Sequence, residues 1–428
     1  MRFIITLFLL ASCNDFTERN EIPKSNFSGT ATYDGTFTTE RLIGNLGAYI
    51  ITPSVEELDE NIQELNANYN SFCDSLNDYE NESFDSQTFA TLSESVKESW
   101  KAATRSYHIF STMNVGPTAN ESSAILDSIY TFDRQDKCRL DQAVVLYDLR
   151  SRLPRFDVID NYNVRGLDSL ERFIFGDQTQ SVCARANSRL NKYFEKALLE
   201  RSKINCVFGK HLLSDITSQS NVLRKTWSTT EGHFTKKLLD GSEGTATEVV
   251  NKISQALFFL DTDTKDKKLA YPAGFEVNID NQVQKCIEAS CPENREHPYA
   301  EFSLEAILAS VEGFKSLFFG INLSNGIKGY GLDDLLISRG HQDIADEIRV
   351  NLDNLIKRLE FNIQSTNLKS LLDEVTINDC EASSTNKRIN EACSLVWDIR
   401  KVTDILKNEY LAALSEFNAP KQAQGDND

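Results

Sequence analysis

The chain has 428 residues, 40% of them hydrophobic and 25% charged, which is a globular composition long enough for two domains of ordinary size. Its 64 acidic and 45 basic side chains give a formal net charge of −19. This charge excludes nucleic acid and electrostatic docking on anionic lipid as expected partners, and it favours cations. Only 8 prolines and 19 glycines occur, which favours long helices over a many-turned sheet.

The N-terminus has the pattern of a secreted bacterial lipoprotein. Arg2 precedes a short apolar run over residues 4–10, and small residues then lead to Cys13. This pattern is typical of a signal peptide and is too short for a permanent membrane span. The stretch Leu10-Ala11-Ser12-Cys13 resembles a lipobox, so we expect removal of residues 1–12, acylation of Cys13 and anchoring to a membrane of the cell envelope. The residue after Cys13 is Asn14 and not the aspartate of a retention signal, which favours the outer membrane as the site of attachment. A plain signal peptide, without acylation of Cys13, is the alternative.

The rest of the chain divides into a polar tether at 13–40, a first helical bundle at 41–240, a second at 241–416 and a polar tail at 417–428. In the first bundle, apolar residues recur at steps of three and four, which is the pattern of a bundle helix. They are Leu58, Ile62, Leu65, Tyr69, Phe72 and Leu76, then Phe89, Leu92, Val96, Trp100, Ala103, Tyr107 and Phe110.

The second half contains similar stripes. They are Val250, Ile253, Leu257 and Leu260; Leu304, Ile307, Leu308 and Val311; and Leu395, Ile399, Val402 and Leu406. A segment without helical period, from Asp261 to Phe302, is predicted to be an ordered excursion that opens the second bundle. Alternating strand patterns are nearly absent, so the predicted class is all-α, with two related four-helix-bundle-like domains. The glycines of residues 320–331 lack the phosphate-loop motif after a strand, so no nucleotide is expected.

Eight cysteines follow Cys13, and an even number in an exported chain predicts disulfides. Pairing each with a near neighbour gives Cys183–Cys206, Cys286–Cys291 and Cys380–Cys393, and leaves Cys73–Cys138. Zinc ligation is a weaker alternative because no C-x-x-C pair is present.

The strongest chemical pattern is YNVRGLDSLERFIFG, residues 162–176. On a helical wheel, Glu171 falls inside the apolar arc and Asp168 at its edge, while Arg165 and Arg172 are predicted to face water. A buried carboxylate must be protonated, paired or bound to a cation. Asp168 and Glu171 lie one turn apart, so both carboxyls can converge on one hard cation such as iron, manganese, calcium or magnesium.

Charge pairing without a metal is the alternative from the residues alone. Asp168 would then pair with Arg172 or Arg165, and Glu171 with an arginine of a neighbouring helix such as Arg105.

Other catalytic patterns are missing. None of the five histidines belongs to H-E-x-x-H and no G-x-S-x-G occurs, which excludes a zincin or a nucleophile elbow. His297 and Glu301 have the i, i+4 spacing of a ligand pair, but Pro298 between them makes a regular helix doubtful, so we expect these two side chains at the surface.

Residues 162–176 resemble the signature of the imelysin family, the insulin-cleaving and iron-regulated bacterial envelope proteins, in which G-x-H-x-x-E is followed by a leucine-rich turn and a glycine. Gly166, Glu171 and the closing Phe175-Gly176 match, whereas Asp168 replaces the motif histidine. Further similar stretches follow in the family's order at residues 93–107 with Trp100 and Arg105, 116–117, 267–274, 296–314 with Glu296, 331–336 and 417–418.

The resemblance implies a two-domain helical fold with the signature helix in a cleft near the domain junction, a link to iron acquisition, and classification as a metallopeptidase. We expect Arg165, Trp100, Arg105 and Glu296 to line that cleft and Gly166 to allow close helix approach. Replacement of the histidine by Asp168 removes a nitrogen ligand and leaves an all-oxygen set, Asp168 and Glu171.

The sequence therefore predicts an envelope lipoprotein with cation-linked binding, iron first, and with iron-uptake proteins of the envelope as partners. A metal-dependent peptidase is the enzyme alternative, for which no catalytic residue is identified. A surface interaction module without metal is the third alternative, which would be favoured if arginine alone satisfied Glu171.

Overall fold

We describe the fold from a computed structural model, which describes residues 36–78, 86–119, 124–132, 135–149, 162–176, 179–183, 188–279, 282–383 and 387–420. The predicted signal peptide, Cys13, most of the tether and residues 421–428 of the tail lie outside the described residues. Every helix within them is too short or too polar to cross a bilayer.

The described residues are almost entirely helical, which confirms the predicted all-α class. The α-helices are α1 (Thr39–Asn45), α2 (Thr52–Asp78), α3 (Ser86–Ser111), α4 (Ala124–Ile129), α5 (Lys137–Leu149), α6 (Gly166–Phe175), α7 (Ser188–Phe194), α8 (Leu198–Trp227), α9 (Phe234–Leu239), α10 (Ala246–Ala256), α11 (Ser303–Phe319), α12 (Leu332–Ser338), α13 (Gln342–Ser365), α14 (Leu368–Asp373), α15 (Asp379–Ala382), α16 (Glu391–Ile405) and α17 (Leu411–Ala413). Wider π-helical turns occupy Leu46–Ile51, Leu260–Ala270 and Leu406–Tyr410. The strands β1 (Val277–Ile279) and β2 (Gln282–Gln284) form an antiparallel hairpin with Val277 opposite Gln284.

The first half is built on the long helices α2, α3 and α8, which pack side by side. Their apolar stripes fall where the spacing places them: Leu58, Ile62 and Leu65 of α2 are fully buried, as is Trp100 of α3. Burial of each such side chain contributes about 1.5–3 kcal/mol, so tertiary packing accounts for most of the stability of these helices.

The second half is built on α11, α13, α16 and the π-helical segment Leu260–Ala270. Helix α11 also packs against α3, and this contact joins the two halves. Gly313 makes the close approach possible, because a Cβ there would lie 2.3 Å from the carbonyl oxygen of Ile109. The apolar core is continuous across both halves, and the domain boundary at residue 240 stays a prediction.

The segment from Asp261 to Phe302 differs in part from its prediction. Its beginning is not an excursion but a π-helix, Leu260–Ala270. The many charged residues of this segment give no apolar stripe from which the helix could be predicted. Asp261 and Lys265 are both buried there and pair at 2.9 Å, so charges that indicate a surface are compensated inside the core. The described remainder of the segment contains the strands β1 and β2 and one short 3₁₀ turn, Pro292–Asn294, and is without α-helix, as expected.

All eight predicted cysteines form disulfides. Cys286–Cys291 and Cys380–Cys393 are confirmed. The pairs Cys183–Cys206 and Cys73–Cys138 are wrong, because the structure joins Cys73 to Cys206 and Cys138 to Cys183. Pairing by sequence proximity minimises the entropy lost on closing each loop, but it ignores helix packing. The packing of α2 against α8 brings Cys73 and Cys206, 133 positions apart, to a Cα separation of 5.6 Å, which suits a disulfide.

Candidate functional site

Helix α6 carries the signature segment and is buried from Gly166 to Arg172. Asp168 and Glu171 are each only 2% exposed. The predicted burial of Glu171 is therefore confirmed, and Asp168, predicted at the edge of the apolar arc, is buried as well. The partners of these two carboxyl groups decide what the site can do.

Glu171 is held by backbone donors. Its Oε1 accepts hydrogen bonds from the N–H groups of Tyr299 at 2.7 Å and Ala300 at 2.8 Å. Its Oε2 lies 3.6 Å from Nδ1 of His297. The segment that follows Glu296 thus provides the positive partners that Glu171 requires, and the condition for a purely arginine-satisfied Glu171 is not met.

Asp168 is held by Thr131. The Thr131 N–H donates to Oδ1 at 3.1 Å and the hydroxyl to Oδ2 at 3.1 Å. Burial raises the pKa of Asp168 to about 7, against the opposing effect of these hydrogen bonds. Gly166 is required here because its φ is 84° and a Cβ would lie 2.5 Å from Asp168 Oδ1 and 3.0 Å from the Cα of Tyr130. The close approach expected of Gly166 is therefore to its own aspartate and to the end of α4.

The three arginines form ion pairs with carboxylates other than Asp168 and Glu171, the partners that the non-metal alternative proposed. Arg165 pairs with Asp215 at 2.6 Å, Arg172 with Asp141 at 2.8 Å and Arg105 with Glu312 at 2.6 Å. Arg165 and Arg172 were expected to face water, but they are 2% and 4% exposed because each has its own buried or nearly buried aspartate.

A cluster of three potential ligands lies beside α6: His108 of α3, Glu296 and His297, which we call the His-Glu-His cluster. The two Nε2 atoms are 3.0 Å apart, and Glu296 Oε2 lies 3.9 Å from that of His108 and 4.0 Å from that of His297. The three residues are no more than 1% exposed. The expectation that His297 lies at the surface is wrong, since the chain turns at His297 with a φ of 51° and points its ring inward.

Two further side chains hold Glu296. Tyr130 donates from its hydroxyl to Glu296 Oε1, and Lys268 Nζ lies 3.4 Å from the same oxygen. Lys268 also contacts His108 Nδ1 at 3.1 Å and Asp263 at 3.2 Å. Oε1 is therefore fully engaged, whereas Glu296 Oε2 has no hydrogen-bond donor in the described part of the chain.

The electrostatics of the His-Glu-His cluster favour neutral imidazole at His108. Burial, followed by Lys268 and His297, lowers the pKa of His108 well below its usual value. Burial also acts to lower the pKa of Lys268, but Glu296 and Asp263 outweigh it and the pKa of Lys268 is raised. Burial and Glu296 together raise the pKa of Tyr130, so this hydroxyl stays protonated as a donor. Lys268 donates to His108 Nδ1, so the proton of neutral His108 lies on Nε2 and is donated to His297 Nε2. A metal ion bound by both nitrogens would displace this proton.

The donor set and spacing fit a first-row cation. Three ligand atoms about 2.1 Å from one tetrahedral ion lie roughly 3.4 Å apart, and the cluster's separations of 3.0 Å, 3.9 Å and 4.0 Å bracket that value. Two histidines with one carboxylate are a known set for ferrous iron and for zinc. The buried Glu296 Oε2, which lacks a donor, is the atom that such an ion would satisfy.

A cleft of about 740 Å³ adjoins the cluster. Its walls include Asp168, Glu171 and His297, together with Lys137 and Arg295. Trp100 lies behind this wall, where its indole N–H donates to the Leu167 carbonyl at 2.8 Å and its ring packs edge-on against His297, 5.2 Å between centroids. Trp100 thus connects α3, α6 and the His297 turn.

Sequence reasoning found part of this site. The sequence indicates Glu296, Asp168 and Glu171, and the structure brings all three to the same region. Arg105 and Arg165 pair instead with Glu312 and Asp215. It missed His108, His297, Lys268 and Tyr130. His297 stands directly after Glu296, which was a usable signal, but no local pattern links His108 to a residue 189 positions away.

Comparison with known proteins gives the family and the fold. The Imelysin peptidase family model matches residues 51–393. An imelysin-like protein from Psychrobacter arcticum 273-4 aligns with a TM-score of 0.57 at 14% identity, over 90% of this chain and 98% of its own. An iron-regulated protein A precursor from Parabacteroides distasonis ATCC 8503 aligns with a TM-score of 0.59 at 11% identity, over 90% and 100%. No curated protein matches the sequence.

Proposed function

Because the chain belongs to the imelysin family, we propose that it is a cell-envelope protein that binds a transition-metal cation, iron first, through His108, Glu296 and His297. The observation that carries this proposal is Glu296 Oε2, a buried oxygen without a donor in the described residues that faces the Nε2 atoms of two buried histidines. A cation placed among these three atoms would remove the free-energy cost of burying that oxygen without a partner. This cost is about 1–3 kcal/mol, or more for a charged group.

The surrounding residues have roles in this proposal that follow from their contacts. Tyr130 and Lys268 hold Oε1 of Glu296, which directs Oε2 towards the histidines. Glu171 lies 3.6 Å from His297 Nδ1 and favours the tautomer with the proton on that nitrogen, so the lone pair is on Nε2. That nitrogen contacts His108 Nε2 at 3.0 Å and the Tyr130 hydroxyl at 3.2 Å, and a bound ion would replace these contacts. Asp168 and Glu171 remain candidate ligands in their own right, as the sequence predicts, for an ion that enters from the cleft.

Iron is the preferred ion for two reasons. Two histidines and one carboxylate are the donor set of non-haem ferrous sites, and a similar fold belongs to an iron-regulated protein A precursor. Partners in iron uptake would follow from this role.

The proposal is tested by titrating the purified, ion-free protein with ferrous, ferric, manganese, calcium and zinc ions in a calorimeter. We expect one site that prefers iron and a loss of affinity of at least about 100-fold in His108→Gln and in Glu296→Gln. The matched control is His211→Gln, since His211 lies on the exposed face of α8 and contacts Tyr147.

Circular dichroism confirms folding of each variant. Wild-type protein that takes up none of these ions contradicts the proposal, as does equal affinity in wild type and both cluster variants.

Peptidase activity is a second candidate that one observation favours. The His-Glu-His cluster is also the ligand set of zinc peptidases, and a cleft adjoins it. Such an enzyme needs a metal-bound water that reaches the substrate. We expect no chelator-sensitive cleavage of a denatured protein, because the three ligands are almost completely buried; cleavage that stops with chelator and in Glu296→Gln would support the enzyme instead.

We further propose acylation at Cys13 and attachment to the outer membrane. The lipobox-like stretch 10–13 and the even set of eight disulfide cysteines support an exported, anchored protein. Replacement Cys13→Ser is expected to move the protein from the membrane fraction to the soluble envelope fraction. Retention of the variant in the membrane would contradict the anchor.

A further inference from the structure

Tyr130 places a further oxygen atom beside the three ligands of the proposed ion site. Its hydroxyl lies 3.2 Å from His297 Nε2 and donates to Glu296 Oε1. Two ligand atoms of one tetrahedral ion lie roughly 3.4 Å apart, and the distance from the Tyr130 oxygen to His297 Nε2 is close to that value. The hydroxyl oxygen therefore has the spacing of a fourth ligand.

Two histidines and one carboxylate leave the fourth position of a tetrahedral ion to another group, which in hydrolytic sites is water. The Tyr130 side chain is well placed to take that position. It is 7% exposed, and its ring packs against those of Tyr107, His108 and His297, with centroids 4.5 Å, 5.2 Å and 5.7 Å away. A phenol oxygen held in this packing can bind the ion in place of water.

The signature segment fixes the backbone on both sides of Tyr130. Gly166 allows the close approach, because a Cβ there would lie 3.0 Å from the Tyr130 Cα and 3.1 Å from the carbonyl oxygen of Ile129. Asp168 accepts hydrogen bonds from the N–H and the hydroxyl of Thr131, the next residue along the chain. These contacts orient Tyr130 before an ion binds, which is the role of residues that support a metal ligand.

We infer that Tyr130 is the fourth ligand of the ion, through its phenolate oxygen, and that it makes the site selective for ferric over ferrous iron. When a ferric ion binds, the bond between the Tyr130 oxygen and iron forms as the O–H bond breaks, and the proton leaves to the solvent. The iron keeps its oxidation state in this step. Glu296 and Tyr130 then supply two anionic oxygens, which a trivalent ion attracts more strongly than a divalent ion does.

This inference deepens the proposed function and rests on it, since it adds a ligand and an oxidation state to the site at His108, Glu296 and His297. The three residues alone form a set that is typical of ferrous iron and of zinc. Tyrosine is an established ligand of protein-bound iron. Its participation would distinguish this site from a ferrous or zinc centre with a position open to water.

The test is the visible absorption spectrum of the full, ion-free protein during titration with ferric nitrilotriacetate. We expect a phenolate-to-iron charge-transfer band that saturates at one ferric ion per chain. Resonance Raman spectra excited within this band are expected to show tyrosinate vibrations. Ferrous iron without oxygen, and zinc, are expected to bind without this band.

Replacement Tyr130→Phe keeps the ring and removes the oxygen. We expect loss of the band and ferric affinity, measured by competition with nitrilotriacetate, that is at least roughly tenfold lower. Ferrous affinity should change much less, because the other three ligands remain. Tyr107→Phe is the matched control, since the Tyr107 ring packs against that of Tyr130; it is expected to keep the band and the ferric affinity.

The outcomes separate this inference from the proposed function. Saturable ferric binding without the band overturns the inference alone, as does a band that persists in Tyr130→Phe or an unchanged preference for ferric over ferrous iron in that variant. Circular dichroism checks folding, and if Tyr130→Phe does not fold, the wild-type absorption and Raman spectra still decide. Failure of wild-type protein to bind either form of iron overturns the proposed function, and the inference with it.

Discussion

Asp168 shows how one side chain determines a pH response. Its pKa of about 7, raised by burial, lies above the usual value of 3.8. Between these two values the folded protein keeps a proton that the unfolded chain releases, so the contribution of Asp168 to stability is full at low pH and is lost as the pH rises towards 7.

Replacement Asp168→Asn removes this titration and keeps the shape that Thr131 binds. We expect the variant to gain stability relative to wild type as pH rises, by on the order of 3 kcal/mol between about pH 5 and about pH 8. Urea unfolding at several pH values measures this difference. A constant difference across the range would mean that Asp168 ionises normally.

Lys268 is the internal cation of the His-Glu-His cluster, and its removal leaves Glu296 with Tyr130 alone. We expect Lys268→Met to lower the free energy of unfolding by about 3–5 kcal/mol without ion, as for other broken buried pairs. An iron or zinc ion is expected to recover part of this loss, since it would supply the missing positive charge. Thermal unfolding with and without ion measures both effects.

Lys265→Met is the matched control for that experiment. Lys265 belongs to the same π-helix and pairs with buried Asp261 at 2.9 Å and with Asp266 at 3.2 Å, which are not members of the cluster. We expect a similar loss of stability and no recovery with the ion. Equal recovery in both variants would indicate nonspecific stabilisation.

At the scale of elements, the sequence predicted the regular helices well and the irregular ones poorly. Helices α2 and α3 were predictable because their apolar residues recur every three or four positions, and this spacing places them on one buried face. The π-helix Leu260–Ala270 could not be found this way, since its buried Lys265 and Lys268 are compensated by Asp261, Asp263 and Glu296. The burial of Arg172 in α6, and of Arg165 directly before it, was not predicted for the same reason, because their aspartates come from other helices.

The contact between α3 and α11 sets the position of His108, which adjoins Ile109 on α3. A Cβ at residue 313 would lie 2.3 Å from the Ile109 carbonyl oxygen and 2.4 Å from Thr112 Oγ1. We expect Gly313→Ala to force the two helices apart, to cost about 1–3 kcal/mol and to weaken ion binding. Unfolding by urea and ion titration measure the two effects; unchanged values would show that the helices tolerate the methyl group.

At the scale of the whole molecule, the candidate site joins both halves of the chain. His108 comes from α3, whereas Lys268, Glu296 and His297 follow α10. The family motif indicated a region, but the junction of distant segments depends on tertiary packing that a single sequence does not display. An ion bound there would couple the two halves.

This coupling predicts one shared unfolding transition that responds to the ion. At an ion concentration about 100 times the dissociation constant, binding is expected to add about 2.7 kcal/mol to the free energy of unfolding. Tryptophan fluorescence and far-ultraviolet circular dichroism should shift together. Stabilisation of one transition while another stays fixed would show that the ion binds within one half.

The most direct test is anomalous diffraction from crystals of the protein grown with a stoichiometric amount of iron. The account predicts one strong anomalous peak within about 2.0–2.3 Å of His108 Nε2, Glu296 Oε2 and His297 Nε2. A crystal that contains bound iron at another place, or a cluster that stays ion-free beside excess iron, would contradict it.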